Sequence, residues 1–472
     1  MMNSSNNEGF DFPIKRFEEM MNSNQILYFD ASEFENIIQY YMDFGRMGLA
    51  KKAIKMGLQQ HPTSFKLLLM KADLLSFEDK TEEAFELLFK LTEIEPYNEE
   101  PYVMMANLFS KQDEHEKSIE CLHKILKLNG DSTQEDVHYL LGMEHLMLEN
   151  YQKAKEHFIK TLEIDGEDEI TLQNIVFCYE FLDKMNDAKE FLKIYIDKNP
   201  YSAIAWHQLG NIYQDEENYT EALSCYDYAI IADDYFVGAI VEKAKVLEKT
   251  NKFKEAIEFY QLTLTMDDPT PFVHFRTGKC YIMLNQFDKA ISSFKKAVFE
   301  DPQFAPGWHE LSEIYTYTDP EKALKYITKA RKIDANNINY IRLYAILCSH
   351  VGDFEEEEKA WNEFEQLQNS IHEESLHDVD RLIETGDFAT AFSIIIHEKT
   401  ILKLNFEMFF RMKILSFILE LPDAEQELET IFLNKDYSPE KIENYLEFSL
   451  LENFHIEDEK LEFLTHFFNE RM

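Results

Sequence analysis

Two histidines, His372 and His377, come nearest to a metal-binding pattern in this 472-residue chain. They sit in His372-Glu373-Glu374-Ser375-Leu376-His377, one residue longer than H-E-x-x-H. In the shorter motif the imidazoles lie four apart on one helix face, bind zinc, and leave the glutamate to activate water. The longer spacing puts the rings on different faces, so both histidines read as surface residues. Asp165-Gly166-Glu167-Asp168-Glu169 is acidic enough for calcium but lacks the alternating ligands and the closing glutamate. It reads as an acidic turn between helices.

The five cysteines, Cys121, Cys178, Cys225, Cys280 and Cys348, are at least 47 residues apart. The odd count and wide spacing argue against a disulfide framework or zinc knuckle, and for small packing residues in a reducing cytosol. No G-x-G-x-x-G, G-x-x-x-x-G-K or G-x-S-x-G occurs, and no nucleophile stands beside a base. Among 89 acidic residues, paired carboxylates are unavoidable and carry no information. The sequence predicts no catalytic residue, no metal site and no cofactor, hence no enzyme.

Composition defines what partners are compatible. Acidic residues outnumber the 47 Lys+Arg, for a net charge of −42. Such a surface repels phosphate backbones and anionic lipid, which disfavours nucleic acid and membrane as partners. It suits a basic protein through electrostatic steering, or serves only to keep a long helical body soluble. The first 24 residues are polar, without the apolar core of a secretory signal, and no apolar run is long enough to span a membrane. A cytoplasmic location is the expectation.

The elements that must position any site follow from periodicity. Ala50 and Ala84 are 34 apart; Ala154, Ala188, Ala222, Ala256 and Ala290 continue at the same interval, and Ala391 returns to the register. Ser118 fills the gap with a two-residue insertion after it, and Ala323 comes one residue early. A second small column runs twelve residues ahead: Ala72, Ala106, Gly142, Val176, Gly210, Ala244, Gly278 and Ser312. Two small columns at one period predict two antiparallel helices per unit, crossing closely where side chains are smallest. Aromatic columns accompany them, Tyr41, Phe109, Tyr179, Tyr213, Tyr281, Tyr315 and Tyr151, Tyr219, Phe253, Phe287, Phe354, Phe388. Pro62, Pro96, Pro200 and Pro302 close units. With only 13 Gly and 12 Pro, the composition favours helices over strands.

Trp206, Leu209, Gly210, Tyr213, Ala222 and Tyr226 reproduce W-x2-L-G-x2-Y…A-x3-F. The chain therefore resembles the tetratricopeptide repeat family over roughly residues 31–400. That resemblance implies an all-α, right-handed α-solenoid (superhelix) of about eleven to twelve helix-turn-helix repeats. The expected divisions are a polar segment and capping helix (1–30), moderately divergent repeats (31–134), the best-formed repeats (135–337), degenerate repeats (338–405) and a divergent helical C-terminal cap (406–472). Asp11-Phe12-Pro13-Ile14 predicts an N-cap opening a short helix through Met21. Asp319-Pro320 supplies an N-cap and first helical proline, placing the deletion ahead of Ala323 in a turn. Glu357 stands in the small column, where it must splay the pair or point outward, which predicts looser packing there. Beyond residue 400, Phe406, Phe409, Phe410, Phe417, Phe432, Phe448, Phe454, Phe463, Phe467 and Phe468 supply apolar faces, for divergent repeats with a capping helix or for a dimerisation or docking surface.

In this family the first helix of each unit lines a concave groove. The corresponding columns select Tyr139, Phe177, His207, Asn211, Lys245, Phe275, Arg276, Lys279 and His309 as the candidate groove. They suggest a carboxylate-bearing peptide, whereas the overall charge suggests a basic one. The family's chaperone-tail clamp is matched only at Asn211 and Arg276; His207, Glu242 and Phe272 replace its other members, and Glu242 would repel a carboxylate. The functional expectation is a non-catalytic scaffold or adaptor binding a protein segment. The alternative is a ligand- or peptide-responsive sensor.

Overall fold

The computed structural model describes residues 11–23, 27–128, 134–266, 270–401 and 406–433, with residues 404, 460, 463, 464, 466 and 467. Among the described residues every regular element is an α-helix, and none is long and apolar enough to cross a membrane. The chain divides into two compact units, Met1–Asn251 and Lys252–Met472.

The first unit opens with α1 (Asp11–Ser23). Helix pairs follow: α2 (Ala31–Asp43) with α3 (Met47–Gln60), α4 (Phe65–Phe77) with α5 (Thr81–Ile94), and α6 (Glu100–Lys111) with α7 (His115–Leu128). Next come α8 (Gln134–Met147) with α9 (Tyr151–Ile164), α10 (Glu169–Phe181) with α11 (Met185–Lys198), α12 (Ala203–Asp215) with α13 (Tyr219–Ala232), and finally α14 (Val237–Lys249). The second unit contains α15 (Phe253–Thr263), α16 (Pro271–Met283) with α17 (Phe287–Glu300), and α18 (Ala305–Tyr315) with α19 (Pro320–Ile333). It continues through α20 (Ile338–Val351), α21 (Phe354–Glu384), α22 (Phe388–Ile401), α23 (Phe406–Ile418) and α24 (Ala424–Leu433). This is an all-α solenoid of helix-turn-helix repeats.

Within a pair, a ring from the second helix fills the space left by a small residue on the first. A Cβ added at Gly142 would lie 2.5 Å from Phe158, at Gly210 2.6 Å from Tyr226, and at Gly278 2.6 Å from Phe294. Where Val176 replaces glycine, the facing second-helix position holds the smaller Leu192, in the same buried cluster. A larger first-helix residue thus meets a smaller second-helix one, and the shape of the crossing changes.

The turn inside each pair is equally regular. One residue of it is left-handed, at Gly45, Asp79, Asp113, Glu149, Asp183 and Glu217 in the first unit and Asn285, Gly352, Gly386 and Glu420 in the second. The following amide then reaches back five residues in a Schellman closure, as in Lys80 N to Leu75 O (2.9 Å) and Asn218 N to Tyr213 O (2.8 Å). In the α18–α19 turn Asp319 N bonds Tyr315 O at 2.9 Å and no left-handed residue intervenes. The deleted residue ahead of Ala323 is this one. Asp319 caps α19 through Lys322 N, with Pro320 following, as the sequence predicts.

First helices are capped by side chains instead, including Ser64, Asp168, Ser202 and Thr270. Asp168 accepts from Ile170 N and Thr171 N, which makes the acidic segment at 165–169 an inter-repeat turn. Trp206 Nε1 and Trp308 Nε1 donate to the carbonyls of Pro200 and Pro302, at 2.9 and 3.0 Å, pinning the chain before two first helices.

At the N-terminal end, α1 runs to Ser23, two residues past the expected end, and Asp11 lies within it. Its Ile14, Phe17 and Met20 are buried with Phe34, Ile37 and Tyr41 of α2. In the second unit α21 is continuous for 31 residues; no Gly or Pro from 354 to 384 interrupts it. Of the two outcomes expected at Glu357, the outward one fits: Ala360 is 2 % exposed while Glu357 is only half-buried. Two charged contacts then bind α21 to later helices. Arg411 of α23 clasps Asp380 with two nitrogens, at 2.6 and 2.8 Å. His372 is buried and its Nδ1 is hydrogen-bonded to Glu398 of α22. That overturns the surface reading of His372, because its partner is 26 residues away in sequence; His377 is exposed. Phe410 and Phe467 join the buried C-terminal cluster and Phe463 stacks on Phe417. Phe448, Phe454 and Phe468, and the side chains of Phe406 and Phe432, lie outside the described residues.

Gly210→Ala is expected to cost about 1–3 kcal/mol by overpacking Tyr226. Thermal melts of the single and double variants should show a smaller cost in a Tyr226→Leu background, imitating Val176 and Leu192. An unchanged melt for Gly210→Ala would mean the crossing is not set by this contact.

Candidate functional site

The first helices of the first unit carry Tyr139 (α8), Phe177 (α10), His207 and Asn211 (α12) and Lys245 (α14). Three of these converge. Tyr226, passing beneath Gly210, donates its hydroxyl to Asn211 Oδ1 at 2.8 Å, with Gln214 Oε1 at 3.2 Å. Gln214 Nε2 approaches Glu242 at 3.4 Å, and Glu242 pairs with Lys245 at 2.6 Å. His207 packs on Tyr226 and edge-on to Phe236, with centroids 5.9 and 5.1 Å away. Burial holds its imidazole pKa below the ordinary value, partly offset by Glu242. The outcome is a polar strip from α12 to α14 with a neutral imidazole at its edge. Tyr139 and Phe177 belong to neighbouring apolar contacts instead: Tyr139 lies 5.9 Å from Phe158, and Phe177 lies 4.6 Å from Phe181.

In the second unit, Phe275, Arg276 and Lys279 lie on α16 and His309 on α18. Lys279 pairs with Glu310 at 2.9 Å. His309 lies 3.9 Å from Glu310 and 3.7 Å from Glu313, beyond hydrogen-bond length. Burial lowers its pKa despite those carboxylates. Phe275 contacts Phe294 and Phe304, and the Arg276 guanidinium lies 5.9 Å from the Phe272 ring. Each column lysine therefore faces a glutamate within its own unit.

Two features escape the sequence columns. The first is a cleft of about 660 Å³ on the first helices α2, α4, α6 and α8, floored by apolar side chains including Met70, Val103, Met104 and Leu140. The second is a histidine cluster on α7, α8 and α9. His157 lies at its centre, with His138, His145 and His123 centroids at 5.2, 5.6 and 6.1 Å. His138 Nδ1 and His157 Nδ1 are 3.0 Å apart, so one donates to the other. Two histidines seven apart on one helix, His138 and His145, were the available signal. Among the described residues no group of three or more His, Cys, Asp or Glu has metal-binding geometry. All five cysteines are buried thiols, and burial pushes Cys178 up to about 11 and Cys225 up to about 12.

The repeated pairs, their left-handed turns and their ring-into-gap crossings define a helical-repeat interaction protein. The sequence profile of the TPR repeats of Integrator complex subunit 8 matches residues 44–197, and two tetratricopeptide repeat profiles match 203–230 and 273–303. The chain belongs to the tetratricopeptide repeat family. It is 27 % identical over 134 residues to the general transcriptional corepressor ssn6 of Schizosaccharomyces pombe, covering 28 % of this chain and 12 % of that one. It is 28 % identical over 165 residues to anaphase-promoting complex subunit 3 of the same organism, covering 35 % and 25 %. The chain thus spans a quarter or less of these relatives' length. Among solved structures, the C-terminal part of a TPR repeat-containing protein from Cytophaga hutchinsonii aligns with a TM-score of 0.41 and 19 % identity, covering 48 % of this chain and 95 % of that one.

The histidine cluster generates a pH prediction. Burial first, then the neighbouring histidines and Lys160, lower His157 from 6.5 to about 4; burial also leads the lowering at His123, His138 and His145. Lys127 and Lys153 add to it, while Glu144 and Glu156 oppose it at His145. The folded chain therefore binds fewer protons than the unfolded chain below pH 6.5, and this contribution to stability falls as pH drops towards 4. His157→Gln should reduce the loss of melting temperature between about pH 7 and 5 by roughly 1–3 °C. Parallel pH profiles for variant and wild type would contradict the coupling.

Proposed function

We propose that this chain is a non-catalytic scaffold or adaptor, sited in the reducing cytosol, that holds a protein segment against the first-helix faces of its repeats. The observation that carries this reading is the cleft on α2, α4, α6 and α8. Four successive first helices leave an open volume of about 660 Å³ with an apolar floor that is only partly buried against the core. Ligand sites of this size and lining are ordinary for protein recognition surfaces. The strip formed by His207, Asn211 and Lys245 continues the same type of face on α12 and α14, with Tyr139 and Phe177 as apolar contacts. In the second unit Phe275, Arg276, Lys279 and His309 offer a similar mixture of rings and charges. The five buried thiols, and the likeness to a transcriptional corepressor and a subunit of a large complex, support a multiprotein setting within the cell.

Affinity purification with mass spectrometry, comparing variants, tests the reading. Met104→Trp with Leu140→Trp fills the cleft by bulk; Glu86→Trp with Lys90→Trp does the same on the exposed face of α5. Proteins captured by wild type should be retained by the α5 variant and lost by the cleft variant. Lys245→Glu, which sets a second glutamate beside Glu242, should weaken partners held on the α12–α14 strip. Equal capture by all variants would reject docking on first helices.

A further inference from the structure

The cleft on α2, α4, α6 and α8 has a charge pattern that identifies its occupant. Its rim carries Glu35, Asp73, Glu99, Glu100 and Asp136 against a single Lys66. Several other carboxylates on this chain are matched: Glu78 by Lys51 and Lys80, Glu216 by Lys189, Glu242 by Lys245, Glu310 by Lys279. Glu35, Asp73, Glu100 and Asp136 have no ion-pair partner among the described residues. Asp73 is half-buried beside Met70 and Leu69, and burial raises its carboxyl above the usual value. A carboxylate drawn out of water beside an apolar floor, with no cation of its own, is stabilised by a cation brought from outside.

The floor makes the second demand. Met70, Val103, Met104 and Leu140 are half-buried, so their exposed portions gain from contact with apolar side chains. Methionines adapt to irregular partners without a preset shape. One ligand chemistry satisfies both: apolar side chains on one face, Lys or Arg at the margins. Resting on the reading of first helices as the docking face, we propose that this cleft binds a basic amphipathic protein segment. Anionic lipid and nucleic acid carry the same sign as the rim, and a second copy of this chain is itself net −42. An acidic peptide is repelled for the same reason. Of the two partner types left open by the sequence, this surface selects the basic one.

The test uses the full chain and three fluorescein-labelled helical peptides of equal length, read by anisotropy. The first combines a Leu face with a Lys face, the second replaces Lys by Glu, and the third scrambles the first so that no apolar face remains. A rim variant, Glu35→Gln with Asp73→Asn and Asp136→Asn, is compared with a control of equal charge change, Glu82→Gln with Glu86→Gln and Glu93→Gln on α5. The Leu/Lys peptide should bind the wild type and the control within twofold of each other. It should bind the rim variant roughly tenfold or more weakly, and the other two peptides should bind weakly throughout. Removing the unpaired Asp73 charge should leave the melting temperature no lower, which separates lost binding from lost folding. Equal weakening in rim and control variants, equal binding of the Glu or scrambled peptide, or no binding of the Leu/Lys peptide would overturn the proposal. If the cleft-filled variant still loses its cellular partners while this assay fails, docking on first helices stands and the basic chemistry does not.

Discussion

Close approach of two helices, made possible by a small residue facing a large ring, is the constraint from which the remaining structure follows. Gly142, Gly210 and Gly278 each lie where a methyl group would overlap an aromatic ring. The ring is committed to the interior of its own pair, and Phe158, Tyr226 and Phe294 are all fully buried. A short turn holding one left-handed residue then fixes how the second helix departs from the first. Packing within a pair and against the next pair consumes one side of each first helix. Its other side is left to solvent, and there the polar strip and the acidic cleft are found. Tyr226 connects the two levels directly: its ring fills the Gly210 gap and its hydroxyl orients Asn211 at the surface.

Charge is distributed less simply than a net of −42 suggests. Lys245 and Lys279, the obvious cations of the central first helices, each stand beside a glutamate. Exposed pairs of this kind contribute little to stability, but they remove the local positive field that would attract an acidic segment. The N-terminal cleft differs, with carboxylates that have no such neighbour and an apolar floor between them. Within the first unit, these features favour a basic partner, by the absence of compensation rather than by the count of acids.

Most of the architecture was legible in sequence because repetition amplifies weak signals. One alanine means little, whereas alanines at a constant interval must occupy equivalent contacts. The early Ala323 even located a missing turn residue, confirmed by the altered closure at Tyr315. What periodicity could not reach were contacts that occur once. His372 and Glu398 meet through a helix with no repeat-like break, so spacing between His372 and His377 said nothing about burial. The four histidines on α7–α9 belong to no column, and neither do the rim carboxylates of the cleft. The candidate groove residues were placed on first helices as the resemblance implies, but the pairing of each lysine depends on side-chain reach, which a column of residue types does not encode.

The central claim, that first helices present the working surface, is tested most directly by site-specific photo-crosslinking in cells. A benzophenone side chain placed at Val103 or Asn211 reports on first helices; one at Lys90 or Lys160 reports on exposed second-helix positions. The account predicts discrete protein adducts from Val103 and Asn211 that are absent from Lys90 and Lys160. Adducts arising mainly from Lys90 and Lys160, or equally from all four positions, would contradict it.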